Sequence, residues 1–285
     1  MKTIFAGVVI LNYLAYSETI NCIDDFKKQD NSNNFAFIVV DNASPNESFD
    51  LLSKKYKDDN QVYVIKTEKN LGFANGNNFG YEFLKKNFIF QYAIFSNDDI
   101  LLPKNGLTNW IIDSYKRYNF GLLGPDVYST NGQFHQSPIV AFTKSILKCN
   151  TIQLKLSIKI FILRLQKVFI KKKKNSKNVW KNDNYDLETI NNTLHGSFIV
   201  MSHNYLDVYD TPFDQRTFLY MEEDILRIRC DNKNIISLYN PSFQVHHLQA
   251  ISTDMIVTNW YSKQIFRLKN ILKSLKVYKK VLRNK

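Results

Sequence analysis

The stretch Tyr92-Ala93-Ile94-Phe95-Ser96-Asn97-Asp98-Asp99-Ile100 is an apolar run that ends in two adjacent carboxylates. Carboxylate oxygens held on short backbone at a strand end suit a hard divalent cation and the diphosphate it bridges. An acidic turn after an edge strand would look the same, so Asp98 and Asp99 need support from elsewhere in the chain. Asp41-Asn42-Ala43-Ser44 also follows an apolar run, and Glu222-Glu223-Asp224 opens a helical pattern. Acids in a first helical turn often only complement the helix dipole. His246 and His247 close another extended segment, where an imidazole either packs or completes a cation's coordination.

The elements that must position these groups are visible as periodicity. Apolar runs at 5–11, 35–40, 62–66, 92–95 and 121–123 predict strands. Between them, 17–28, 46–56, 74–86 and 104–118 predict helices, with Ser17 and Asn46 as caps and Pro103 in a first turn. The alternation implies an open α/β fold with a mostly parallel sheet. Such sheets bind ligands at the carboxyl ends of their strands, which places 41–44 and 96–99 on one edge. A basic stretch at about 142–186 interrupts the pattern and predicts a loop or helical excursion. Order resumes with 195–200, a helix at 222–230 and a strand at 235–239.

The chain has 285 residues and a formal charge of +12, unevenly placed. Residues 144–181 carry twelve Lys or Arg and 262–285 carry nine, with no acid in either, so the remainder is net acidic. Both segments interleave bases with Ile, Leu, Phe and Val, the composition of helices that lie on anionic membrane surfaces. Nucleic acid is not an expected partner, because no reading helix, zinc finger or aromatic RNA-binding strand accompanies the charge. No apolar run reaches bilayer-spanning length. Residues 2–16 imitate a secretory leader, but Asn12 interrupts them and no cleavage site follows, so they are expected to form the first core strand. Cys22, Cys149 and Cys230 lack paired spacing and fit reduced thiols in a cytosol. Trp180 and Trp260 flank the basic segments, where an interfacial role is open.

The strings also fall in a set order: Val9-Ile10-Leu11-Asn12-Tyr13, Val40-Asp41-Asn42-Ala43-Ser44, Asn70-Leu71-Gly72-Phe73-Ala74 with Gly76-Asn77-Asn78, Ser96-Asn97-Asp98-Asp99, Phe218-Leu219-Tyr220-Met221-Glu222-Glu223-Asp224, and His247. Over about residues 5–255, apart from much of the basic insertion, this resembles family 2 glycosyltransferases, and within them the bacterial rhamnosyltransferase-like branch of surface-polysaccharide synthesis. The resemblance implies an α/β fold of the GT-A nucleotide-diphospho-sugar transferase type. Residues 1–143 would form the nucleotide-sugar half, 144–186 the insertion, 187–256 the acceptor and catalytic half, and 257–285 a basic helical tail. It further implies Mn2+ or Mg2+ and inverting transfer from a nucleotide-diphospho-sugar donor to a glycan, expected to be lipid-linked, in capsule, O-antigen or cell-wall synthesis. The enzyme would be cytoplasmic and peripheral on the inner face of the cell membrane.

Residue by residue, the resemblance gives Asp41 a hydrogen bond to the nucleotide base and puts Asn12, Asn70, Gly72 and Asn77 on the nucleotide-sugar side, Gly72 by allowing close backbone approach. Asn97-Asp98-Asp99 would be the DXD-type site, with Asn97 near the ribose, where the family often has Asp, Asp98 on the donor side and Asp99 on the metal. His247 matches a histidine that reaches the metal or diphosphate. Glu223 matches the catalytic base and Glu222 is next in line. His135, His195 and His203 match nothing and are expected to be structural.

The chemistry needs such groups. A departing diphosphate gathers negative charge that a divalent cation offsets, and an acceptor hydroxyl needs a base on the opposite face of the sugar. Successive helical residues diverge by about 100°, so three consecutive acids cannot all address one hydroxyl. A sugar-phosphate nucleotidyltransferase would carry a Gly-rich, basic loop directly after the first strand, where this chain has Asn12-Tyr13-Leu14-Ala15-Tyr16. The alternative is a non-catalytic carbohydrate- or membrane-binding module on the same scaffold, which would not need Asp99, Glu223 and His247 together.

Overall fold

The computed structural model describes residues 1–131, 134–169, 185–248 and 260–283. Its first half follows the expected alternation. Strands β1 (Lys2–Asn12), β2 (Phe35–Asp41), β3 (Val62–Lys66) and β4 (Phe88–Asn97) are parallel in the order β3-β2-β1-β4. Helices α1 (Tyr16–Lys27), α2 (Ser48–Lys55) and α3 (Gly72–Asn87) connect them. Every residue of β2 is buried, as expected of an unbroken apolar run covered on both faces. Val8 and Ile10 face a core shared with Ile23 and Phe26 of α1, while Val9 faces the opposite core with Ala74, Tyr81 and Leu84 of α3.

The second half departs from simple alternation. It contains β5 (Ile100–Leu101), α4 (Leu107–Tyr118), β6 (Leu122–Ser129), β7 (Phe134–His135), α5 (Ile146–Phe169), β8 (Thr189–Ile190), β9 (Phe198–Ser202), α6 (His203–Leu206), α7 (Glu222–Lys233), β10 (Ser237–His247) and α8 (Trp260–Arg283). Strand β9 lies antiparallel between β4 and β6, and β10 runs parallel to β6. Two-residue β5 pairs antiparallel with the last two residues of β10, setting His247 opposite Ile100.

Two predicted helix starts are corrected. Ser17 lies inside α1, whose N-cap position is Ala15; Asn12 Oδ1 accepts from the Ala15 N–H at 3.1 Å and the Thr19 hydroxyl at 3.2 Å, which holds the turn that leads into the helix. Helix α4 begins at Leu107, well after Pro103, because Asn105 is engaged with Asp30 and Gly106 takes φ +107°.

The two basic segments pack on each other. Cys149 of α5 shares a core with Met221, with Ile225 and Ile228 of α7, and with Leu275 and Tyr278 of α8; further along, Ile160 and Leu163 meet Tyr261 and Leu268. Trp260 joins this second cluster, which is a packing position, and Trp180 lies outside the described residues. Among the described residues no helix is long and apolar enough to cross a membrane.

Candidate active site

The donor side is built from the ends of β1 and β2. Asn12 pairs with Asp41 in the β1–β2 register, and its Nδ2 donates to Asp41 Oδ2 at 2.8 Å. Asp41 Oδ1 accepts from the Ser44 N–H at 2.9 Å, so both oxygens of this wholly buried carboxylate hold neighbouring backbone in shape. One residue on, Asn42 accepts from the Leu71 N–H at 2.8 Å and donates to Asn70 Oδ1 and the Gly72 carbonyl. Asn70 Oδ1 in turn accepts from the Gly72 N–H at 2.9 Å. This latch fixes the start of α3.

Gly72 has φ +76°, and a Cβ there would stand 2.1 Å from the Phe218 carbonyl. The close approach that Gly72 permits in this structure is therefore to the 218 loop of its own chain. The Phe73 N–H donates to the same carbonyl at 2.8 Å. Asn77 is buried within α3, donates to the Phe73 carbonyl at 3.0 Å, and among the described residues has no hydrogen-bond partner on Oδ1. Asn78 exchanges two hydrogen bonds with the Phe213 backbone, so α3 holds the loop that leads to the acidic helix.

The cation side is assembled by strand pairing. Asn97 ends β4, Asp98 and Asp99 form the turn, and β5 brings β10 alongside. His247 Nε2 thereby stands 3.3 Å from Asp99 Oδ1. The other ring nitrogen, Nδ1, lies 2.8 Å from Gln136 Oε1. An amide oxygen can only accept, so the Gln136 contact takes a hydrogen bond from Nδ1 and leaves Nε2 as the ring atom that faces Asp99. Asp98 is buried, and burial followed by the charge of Asp99 pushes its carboxyl well above the ordinary range. Among the described residues no three His, Cys, Asp or Glu side chains form a cation cage by themselves. Two protein donors, one carboxylate and one imidazole, fit a Mn2+ or Mg2+ ion that takes its remaining oxygens from phosphates and water.

His195, expected to be structural, belongs to this site. Its ring centroid is 5.5 Å from that of His247, and burial, then the neighbouring His247, lowers its pKa to about 3, so it is neutral. Its Nδ1 accepts from the Ser197 N–H at 3.2 Å, while the Ser197 carbonyl accepts from the Asn97 N–H at 2.9 Å. A histidine before Gly-Ser carries no sequence signal for this, and Gln136 likewise matters only through a contact 111 residues away.

The three consecutive acids diverge, as helical geometry requires. Tyr220 and Met221 both adopt left-handed backbone, φ +72° and +69°, immediately before Glu222 starts α7. Two such non-glycine residues in succession cost of the order of 1–3 kcal/mol each and tend to cluster where function demands them. Glu222 is buried, and burial, then the charge of Glu223, pushes it up to about 8, with Thr217 opposing. Asp224 accepts from the Phe142 N–H at 3.1 Å and is pushed up to about 7 by burial. Glu223 turns to Gly196: burial raises its pKa, its own N–H and that of Gly196 hold it back, and a Cβ on Gly196 would meet its Oε1 at 2.6 Å. Thus residues 195–197 touch the base candidate, the imidazole beside the cation site and the DXD-type turn in three consecutive positions. Two cavities of about 490 and 570 Å3 flank β10 at Asn240 and Ser242 and contain none of these residues, so depth alone does not locate the chemistry.

Solved structures share this architecture. S. aureus TarS 1–349 in complex with UDP-GlcNAc superposes with a TM-score of 0.56 at 14% identity, over 88% of this chain and 59% of that one. The same protein in complex with UDP gives 0.54 at 14% identity, over 95% and 65%. The chain spans less than two thirds of the length of these structures, and at this identity the likeness is one of fold, a GT-A glycosyltransferase fold. No curated protein matches by sequence. A model of the family described as glycosyl transferase family 2 matches residues 7–177, more than half of the chain, and the chain therefore belongs to glycosyl transferase family 2.

Proposed function

We propose that this protein is an inverting, cation-assisted glycosyltransferase that moves a sugar from a nucleotide-diphosphate donor to a glycan acceptor. The observation that carries the reading is the segment 195–197, which connects Glu223, His247 and Asn97 through direct contacts. In the reaction, the acceptor hydroxyl oxygen attacks the anomeric carbon from the face opposite the diphosphate. The bond from that carbon to the phosphate oxygen breaks, the nucleoside diphosphate departs, and Glu223 takes the hydroxyl proton. Asp99 and His247 would hold the Mn2+ or Mg2+, which supplies charge neutralisation on the departing diphosphate. Asn12, Asp41, Asn70, Gly72, Asn77, Asn97 and Asp98 shape the donor side. Of the two glutamates it is Glu223 that lies against Gly196, between His195 and Ser197, and that position favours it as the base.

UDP-sugars are the first donors to test, since the TarS structures hold UDP and UDP-GlcNAc; dTDP-sugars follow from the rhamnosyltransferase-like motif order. The acceptor is a lipid-linked glycan of a surface polysaccharide, met on the cytoplasmic side of the membrane, a placement supported by the acid-free basic segments. The test is donor binding and turnover with Mn2+, Mg2+ or EDTA for wild type, Asp99→Ala and Glu223→Gln. Cation-dependent donor binding that Asp99→Ala removes, with Glu223→Gln binding but not transferring, is the expected result. A wild-type protein that binds no nucleotide sugar with either cation overturns the reading.

A further inference from the structure

Helix α5 is apolar on two opposite faces. Residues Cys149, Ile152, Leu156, Ile160 and Leu163 point into the clusters shared with α7 and α8. On the other side Leu147, Leu154, Ile158, Phe161, Ile162 and Leu165 are exposed, Leu147 by 76% and Phe161 by 61%. At about 100° per residue these six fall within an arc of about 100°, centred opposite the buried face. From Leu147 to Leu165 the stripe runs about 27 Å at 1.5 Å per residue. A continuous exposed stripe of large side chains on a soluble surface marks a contact, whereas scattered ones do not.

The charges around the stripe identify what it touches. Lys148, Lys155 and Lys159 line one edge, Arg164 stands on the other, and α5 contains no acid. Lys171 to Lys174 follow directly in sequence. A second copy of this helix would bring like charge against like charge. A bilayer with anionic headgroups supplies an apolar layer for the stripe and negative charge at the depth of the lysines. The tail helix α8 differs: Leu268, Leu275, Val277, Tyr278, Val281 and Leu282 are buried. We infer that the outer face of α5 is the membrane seat of this protein, lying in the plane of an anionic leaflet, with α8 as the brace behind it. This deepens the proposed placement beside a lipid-linked acceptor and rests on it only for biological purpose.

The test uses the full chain and vesicles of equal parts phosphatidylglycerol and phosphatidylcholine, against pure phosphatidylcholine. Wild type should co-sediment with the anionic vesicles, and Ile158→Glu with Phe161→Glu should weaken that binding by about tenfold or more, as lost apolar burial in the interface requires. Lys155→Glu with Lys159→Glu should weaken it too, with a shallower salt dependence. Because the four positions are on the surface, all variants should keep the wild-type melting temperature and donor binding in solution. Equal binding by wild type and the Ile158/Phe161 variant overturns the inference, as does a wild-type dimer in sedimentation equilibrium that Ile158→Glu dissociates, which would make the stripe an interface between copies. Vesicle binding without any donor binding would instead remove the transferase reading and leave the membrane seat standing.

Discussion

The two halves of the site hold their carboxyl groups in opposite ways. On the donor side Asp41 is wholly buried yet spends both oxygens on Asn12 and Ser44, and Asn42 and Asn70 close a ring of short bonds around the start of α3. On the cation and acceptor side burial outweighs the hydrogen bonds that Asp98, Glu222, Glu223 and Asp224 receive, so all four are pushed upward. A buried acid that is fully hydrogen-bonded fixes backbone; one that is under-bonded keeps a proton, or waits for a cation or a substrate to justify its charge. The first half is built as scaffold, and the second is where the proposed chemistry would run.

The sharpest way to break that contrast is to remove one acid from each half. Glu223→Gln should lower kcat by about 10^2–10^4, the usual loss of a general base, with the melting temperature and donor binding retained. Asp41→Ala should do the reverse, costing about 1–3 kcal/mol of stability for each donor it orphans, seen in urea unfolding. If Asp41→Ala unfolds at the wild-type urea midpoint, the scaffold reading of the donor half is wrong.

Gln136 sharpens the contrast from the side of the imidazole. Gln136→Leu removes the acceptor that holds His247 Nδ1–H, and should weaken Mn2+ binding by about 10–100-fold in calorimetry without unfolding the protein. The smallest effect concerns pH. Burial raises Glu222 from 4.5 to about 8, so between those values the folded chain keeps a proton that the unfolded chain has released. Its contribution to stability is therefore fully present below the unfolded value and is lost as pH rises toward about 8. Glu222→Gln should raise the melting temperature near the top of that window, by about 2–4 °C for each kcal/mol recovered, and change it little at the bottom. An identical gain at both ends would mean that the carboxyl is not held protonated.

The sequence made the parallel half of the fold legible because β1 to β4 are long apolar runs with helices at regular spacing between them. Strands β5, β7 and β8 have only two residues each and no period to detect, although β5 is what sets His247 beside Asp99. Asp41, Asp99, Glu223 and His247 could be named as candidates because motif order survives in one dimension. His195, Gly196 and Gln136 could not, since what makes them part of the site is proximity across strands. By composition the two basic segments are amphipathic surfaces of one kind. Composition cannot tell which face of a helix finds a partner, and pairing α5 with α8 consumed most of the apolar surface of α8 while leaving α5 a second face.

The cluster that joins Cys149 of α5 to Ile225 and Ile228 of α7 has a metric consequence. The first turn of α7 carries Glu223, so the carboxylate cannot rise or sink relative to α5 without prising that cluster open. If the outer face of α5 lies in lipid, as inferred above, the altitude of Glu223 above the headgroups would be a fixed dimension of the protein. A ruler of that kind would favour an acceptor whose reactive hydroxyl stands at the height of Glu223.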